Sequence, residues 1–299
     1  MKHNTWYKDK KVLVTGGAGF IGSHLLDALI KAEAHITILD DFSTGSLENI
    51  NHIKNKLTII AGSIDDHETC LKACKGIDII FHLAALSSVQ NCNENPEECY
   101  NVNIQGTYNM LNAAHHLGIS RFIFASSAAV YGAQEGILSE SLPCMPISAY
   151  GHSKYMGEQW CKWFARHHGL NVTCLRYFNV FGERQRGDLS TSAIVAKIHH
   201  HMKKNLPLSI FGDGNQTRDF VPVEYVIQST LLAGSIENCT KYCINIALGK
   251  PQSLNEIINE IKARYEHFSA PITYNPWREN DIRHSAGDIQ LLKELESNL

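Results

Sequence analysis

Short, nearly continuous apolar runs recur along the first part of the chain, at 11–15, 35–39, 57–61, 77–83, 121–125 and 172–178. Each reads as a strand buried on both faces. The stretches between them carry apolar positions at helical spacing. They predict helices running to about Lys31, over 67–74, from Pro96 to about Leu117, and from Tyr150 to about His168. Alternation of this kind predicts an α/β fold with a doubly wound parallel sheet, built by residues 1–178. After Asn179 the pattern loosens into helices at 192–205, 224–235 and 253–267 and strands at 208–211, 244–247 and 272–274. Residues 179–299 are expected to form a smaller C-terminal lobe, with segments near 218–247 returning to the main sheet.

The first strand runs into Gly16-Gly17-Ala18-Gly19-Phe20-Ile21-Gly22 and then a helix. Strand, glycine turn and helix form the context of a dinucleotide fingerprint, so the sheet is read as Rossmann-type. Gly16 permits the tight turn, Gly19 lets backbone approach a pyrophosphate, and Gly22 lets helix and strand pack closely. The helix start supplies N–H donors and a positive dipole end. The second strand ends in Asp40-Asp41. An acid there holds ribose hydroxyls and repels a 2′-phosphate, which points to NAD rather than NADP. Small residues Ala84 and Ala85 after the fourth strand leave room for a ligand.

Tyr150 and Lys154 lie four apart, on one face of a helix. An ammonium beside a phenol favours the phenolate and lowers its pKa, so the pair is a candidate proton acceptor near neutrality. Ser127 closes the fifth strand. Ligands bind at the carboxyl ends of strands in such sheets. The glycine loop, Asp40, Ala84, Ser127 and Phe178 all fall at such ends.

With 299 residues, 44% of them hydrophobic, the chain can bury a sizeable core. A net charge of −3 gives no basic surface for nucleic acid or an anionic membrane. No apolar run is long enough to span a bilayer, and the polar amino end predicts no signal peptide. Nine scattered cysteines without a Cys-x-x-Cys pair are expected to be reduced, mostly core thiols of a cytoplasmic protein. His199-His200-His201 read as a solvated helix end, and no metal is expected.

Taken in order, these stretches resemble the extended short-chain dehydrogenase/reductase family, nearest its NAD-dependent nucleotide-sugar 4-epimerase branch. The matching segments are residues 16–22, 39–45, 81–89, 126–132, 150–154, 175–182, 211–221 and 281–285. The resemblance implies that Tyr150 is the catalytic base and acid, Lys154 its partner on the nicotinamide ribose, and Ser127 the hydrogen-bonding group on the sugar hydroxyl. It implies cofactor contacts from Phe20 and Ile21 beside the glycines, and from Asp40, Asp41, Phe42, Ser43, Thr44 and Gly45. Leu83, Ala84, Ala85, Ser87, Asn103 and Phe178 would line the cofactor channel. Ser63 stands where the family pattern has an Asp that contacts adenine, leaving a backbone contact at Ile64.

For the substrate the resemblance implies contacts from Ser87, Asn179, Ala193 and Ile194, with Arg218, Arg278 and Asp281 on a nucleoside diphosphate. Arginine suits a diphosphate because its planar fork donates bidentately. The other reading of these arginines is ion pairing with Asp213, Asp219 or Glu279. Ser285 matches a gate beside the sugar's C2 substituent, and a small residue there admits N-acetyl sugars. The implied reaction takes UDP-N-acetylglucosamine to UDP-N-acetylgalactosamine, with the UDP-glucose/UDP-galactose pair as a second substrate set. It passes through a 4-keto sugar and releases no reduced cofactor. Dehydratases and decarboxylases of the family need a further acid after the active-site Ser, where Ala128 and Ala129 stand. A stoichiometric dehydrogenase and a non-catalytic NAD-binding protein are the remaining alternatives. The helices 96–117 and 150–168 carry apolar residues beyond one face, which predicts a homodimer.

Overall fold

The structure is a computed structural model that describes residues 5–189, 191–236, 243–277 and 282–297. Its centre is a seven-stranded parallel sheet in the order β11-β7-β5-β4-β1-β2-β3. These strands are β1 (Lys11–Thr15), β2 (His35–Asp40), β3 (Leu57–Ala61), β4 (Ile79–His82), β5 (Arg121–Ser127), β7 (Val172–Tyr177) and β11 (Cys243–Ile246). The order reverses at β1 and β4, which places a switch point where the glycine loop leaves the sheet.

Helices cover both faces. On one side α1 (Phe20–Lys31) buries Leu25, Leu26 and Leu29 with residues of the helix Val223–Ser235. On the other, α2 (His67–Ala73), the helix Gly106–His116 and the helix Ala149–His168 bury Cys70, Met110, Leu111, Cys161 and Phe164. Six of the cysteines are buried and none is in a disulfide, among the described residues. Cys239 lies outside them.

The long helix expected from Pro96 is interrupted. After α3 (Val89–Glu94), α4 (Pro96–Cys99) passes into a π turn over Tyr100–Gln105 before α5 (Gly106–His116). The turn carries Asn103 into the protein, where it is 2% exposed. By contrast α6 (Ala149–His168) is regular. Ser148 caps it through a 3.0 Å bond from the Gly151 amide, and Gly169 ends it in the left-handed region at φ 68.

The C-terminal part holds its own apolar cluster. It joins Val195, Ile198 and Met202 of α7 (Ile194–Lys203) to Leu208 and Ile210 of β9 (Leu208–Phe211) and to Ile257 and Ile261 of the helix Leu254–Lys262. The segment near Arg218 does not return to the main sheet. As β10 (Thr217–Pro222) it pairs with β8 (Asn179–Phe181) and β12 (Pro251–Ser253). α8 (Val223–Ser235) then packs back onto the main sheet, and β11 takes its edge. The helix expected over 253–267 stops earlier, as α9 (Leu254–Lys262), started by a Ser253/Glu256 capping box. β13 (Ile272–Asn275) pairs with β9; β14 (Ser285–Gly287) pairs with β6 (Gly136–Leu138); α10 (Gln290–Ser297) follows.

Gly22 sets the contact between α1 and the loop before it. A Cβ there would stand 2.1 Å from the Gly16 carbonyl oxygen. Gly22→Ala is expected to lower stability by about 1–3 kcal/mol through forced backbone shift, read as a lower urea midpoint; an unchanged midpoint contradicts this packing.

Candidate active site

The glycine loop is held from behind. Asp40, at the end of β2, is 6% exposed, and its carboxylate accepts the Ala18 amide at 2.8 Å and the Phe42 amide at 2.9 Å. Burial pushes its pKa up, and these two bonds oppose the rise. A carboxylate has about four acceptor sites, so the group that fixes the loop keeps capacity for ribose hydroxyls. Phe42 takes φ 58, a left-handed conformation that costs a bulky residue about 1–2 kcal/mol. The Asp40 bond to its amide holds it there.

At the start of α1, Gly19 is the N-cap and no side chain caps the helix. The first turn carries no acid. A Cβ on Gly19 would meet only the Gly16 oxygen, at 3.2 Å, so the loop's outer side is open while its inner side is tight. Beyond the ends of β2 and β3 lies a cavity of about 740 Å³ lined by Asp41, Ser63, Asp65, Asn101 and Val102 among others. An open loop beside donor amides, an acid behind it and a cavity at the strand ends fit a dinucleotide. Asp41 is exposed and turns onto Ser43, accepting from its amide at 2.9 Å and its hydroxyl at 2.6 Å. The Ile64 carbonyl accepts from Asn109 at 3.1 Å.

Ser127, Tyr150 and Lys154 converge. The Ser127 side chain stands beside the Tyr150 phenol and acts to lower its pKa, and Ser127 Oγ accepts the Ala129 amide at 3.2 Å. Lys154 is 4% exposed, donates to the Ala125 carbonyl at 2.8 Å, and lies over the rings of Phe124 (5.1 Å) and Tyr150 (5.9 Å). The expectation that Lys154 brings the phenol into the neutral range needs correction for the ligand-free protein. Burial pushes Tyr150 up to about 12, opposed by the neighbouring Ser127 side chain, and pushes Lys154 down to about 8. The ammonium sits over the ring face, and desolvation of both groups outweighs their attraction.

Asn103 acts through the loop after β4. Its side chain accepts the Leu86 amide at 2.7 Å and donates to the Leu86 carbonyl at 3.0 Å and to Ser153 of α6 at 2.9 Å. It thus ties the loop carrying Ala84, Ala85 and Ser87 to α6. Leu83 and Ala84 are fixed to Thr15 by bonds of 3.2 and 3.1 Å. Phe178, expected along the cofactor channel, is 2% exposed and packs against Tyr131.

Sequence reasoning missed the polar structure beneath Ser127. Glu158 is fully buried and takes two bonds from Arg176, at 2.9 and 2.8 Å, and one from Ser126 at 2.6 Å. Arg176 also reaches the Tyr131 hydroxyl at 2.9 Å, which bonds Asn245 at 2.7 Å. His82 is equally buried, between Thr15 at 2.8 Å and Thr107 at 3.0 Å. Burial and then Lys154 lower its pKa to about 3, so it is neutral.

On the substrate side, Asn179 donates to the Asp219 carbonyl at 3.2 Å. Arg218 donates to the carbonyls of Thr217 at 2.9 Å and Arg283 at 3.3 Å. Ala193 caps α7, and Ile194 begins it. Ser285 is a buried β14 residue paired with Gly136, just after the Ser127 segment, rather than a loop residue. Arg278 and Asp281 lie outside the described residues. His199 bonds Tyr265 at 3.1 Å, and no metal-binding group of His, Cys, Asp or Glu occurs among the described residues. No described helix is long and apolar enough to cross a membrane.

The profile of the NAD dependent epimerase/dehydratase family matches residues 12–242. The chain is similar to the putative UDP-glucose 4-epimerase of Methanocaldococcus jannaschii, with 38% identity over 287 residues, 95% of this chain and 92% of that protein. It is also similar to the UDP-N-acetyl-alpha-D-glucosaminuronate decarboxylase of Bacillus cytotoxicus, 32% identical over 298 residues, 96% of this chain and 91% of the relative. Among solved structures, the UDP-N-acetylglucosamine 4-epimerase of Methanobrevibacter ruminantium in complex with UDP-N-acetylmuramic acid superposes with a TM-score of 0.91 and 37% identity, covering 96% of this chain and 92% of that one. The chain belongs to the NAD-dependent epimerase/dehydratase family. It is an NAD-dependent enzyme, an isomerase.

The buried ammonium of Lys154 has a measurable cost. Its pKa falls from the ordinary 10.5 to about 8 on folding, so the unfolded chain binds that proton more tightly. The destabilisation is complete below pH 8 and fades as pH rises from 8 to 10.5. Lys154→Met is expected to stabilise the cofactor-free protein by about 1–3 kcal/mol at pH 7, with the gap closing across that window. Urea titrations at pH 7 and 10 read this; a less stable variant at pH 7 contradicts it.

Proposed function

We propose that the chain is a UDP-sugar 4-epimerase acting on UDP-N-acetylglucosamine and UDP-N-acetylgalactosamine, with the UDP-glucose/UDP-galactose pair as further substrates. One observation carries this reading: Ser127 stands beside the Tyr150 phenol, and the residues that follow Ser127 are Ala128 and Ala129. Proton transfer then rests on one side chain, which suits taking a proton from a hydroxyl and returning it. Glu158, reached through Ser126, is held by Arg176 and is no spare acid.

NAD, when bound, supplies the hydride acceptor and a formal positive charge. Asp40, the glycine loop and the start of α1 would hold it. Ser127 orients the sugar 4-hydroxyl toward Tyr150, which takes its proton and later returns it. Lys154 holds positive charge next to the phenol ring and favours its ionised form once ligands exclude water. Asn103 keeps the loop at 83–88 against α6, so both walls of the cleft stay in register. Small Ser285, paired with Gly136 on β6, supports room for an acetamido group. On this reading residues 1–178 form the cofactor domain and 179–299 mainly the substrate lobe, with Asn179, Arg218, Arg278 and Asp281 on the UDP diphosphate. The free buried thiols support a cytoplasmic setting.

The Bacillus cytotoxicus relative favours a second reading, decarboxylation of a UDP-uronic acid. Incubation with each UDP-sugar separates the two. The C4 epimer of UDP-N-acetylglucosamine is expected, and Tyr150→Phe is expected to lower its rate by about 10²–10⁴-fold. Epimerisation of the non-acetylated pair alone contradicts the role of Ser285. No epimer from any UDP-sugar contradicts the function.

A homodimer is part of the same proposal. Tyr100, Met156 and Trp163 are 53%, 41% and 41% exposed on the α4–α6 side. Two copies joined through α5 and α6 would cover them. Light scattering at micromolar concentration is expected to give twice the chain mass, and the mass of one chain contradicts the dimer.

A further inference from the structure

Three segments assigned above to the substrate meet at one residue, Asp219, whose carboxylate is fully buried. Asp219 on β10 has 0% exposure. Its Oδ1 accepts the Leu248 amide at 2.9 Å, and its Oδ2 accepts the Gly249 amide at 2.8 Å and the Gly287 amide at 3.2 Å. Its own carbonyl accepts from Asn179 at 3.2 Å. It follows Arg218 directly, and Gly287 lies on the same short strand as Ser285. The connection continues along β10, where the Thr217 amide bonds the Arg283 carbonyl at 2.8 Å and the Thr217 hydroxyl meets His284 at 3.1 Å.

From this geometry we infer that Asp219 is a positioning residue for the UDP-sugar: it holds the paired strands of Arg218 and Asn179 in register with the strand of Ser285. The inference rests on the proposed function for the identity of the ligand. The carboxylate is suited to the task because it only accepts, and three N–H donors converge on it. A backbone amide bonded to a charged acceptor makes a shorter, stronger bond than one bonded to a neutral group. Asparagine has nearly the same shape but turns an NH₂ toward at least one of those donors. The turn at 248–249 or the strand at 287 must then move, and Arg218 and Ser285 lose their mutual spacing. Neither the glycine loop nor the Ser127–Tyr150–Lys154 group bonds to Asp219, so cofactor binding and the chemical step are left intact.

The test compares the NAD-loaded parent protein and Asp219→Asn. Calorimetry with UDP is expected to show affinity reduced roughly 10-fold or more, with NAD affinity within about twofold. Steady-state epimerisation is expected to show a matching rise in KM with kcat within about twofold. A merely structural role lowers the active fraction, and so kcat, at unchanged KM; that result overturns the proposal, as does unchanged UDP affinity. UDP that fails to bind the parent protein overturns the proposed function itself. Should Asp219→Asn not fold, hydrogen exchange on the parent decides: added UDP is expected to slow exchange at Leu248, Gly249 and Gly287, and unchanged exchange overturns the inference.

Discussion

Four consecutive residues at the end of β5 meet one face of α6. Gly157 lies against the Phe124 ring, where a Cβ would stand 2.4 Å from Cζ. Lys154 donates to the Ala125 carbonyl, Glu158 accepts from Ser126, and Tyr150 stands beside Ser127. The close approach that a glycine allows therefore sets where the catalytic pair sits relative to the strand end. It also buries an ammonium without a paired carboxylate at its hydrogen-bonding end, a costly arrangement that packing must sustain. Polar groups held this way are pre-oriented and need little rearrangement when charge moves.

The polar layer behind the site is arranged to resist that cost. Glu158 and Arg176 form a bidentate pair with further bonds to Ser126 and Tyr131, so both charges are compensated where water is absent. On the other side of β5, His82 stays neutral and bridges β1 to the first turn of α5 through Thr15 and Thr107. The π turn is where the extra residue in the helix turns Asn103 inward. Rigid strands and these braces together leave Ser127 and Tyr150 as the polar pair at the rim.

The strands and the glycine loop were legible because their signals are local: apolar runs of about strand length, and three glycines at fixed offsets. β9 falls at the residues its apolar run predicts, and α6 starts one residue before Tyr150. What stayed hidden depends on residues far apart. Arg176 and Glu158 are 18 positions apart, Tyr131 and Asn245 114, and Asp219 and Gly287 68. No window of sequence contains these pairs. The π turn was hidden because Tyr100–Gln105 carries no Pro or Gly to interrupt a helical pattern. The pKa of Tyr150 was misjudged because a neighbour in sequence reveals charge but not burial. The segment near Arg218 is expected to return to the main sheet, but β10 takes its partners from residues 179–181 and 251–253, which no local signal reveals.

The central claim is that one tyrosine moves one proton out and back while the hydrogen at C4 leaves and returns within the same site. UDP-N-acetylglucosamine labelled with deuterium at C4, followed by NMR and mass spectrometry in ordinary water, tests it most directly. UDP-N-acetylgalactosamine that keeps the label at C4 is expected, with no reduced cofactor in solution. Label lost to water, or reduced NAD accumulating with turnover, would contradict it.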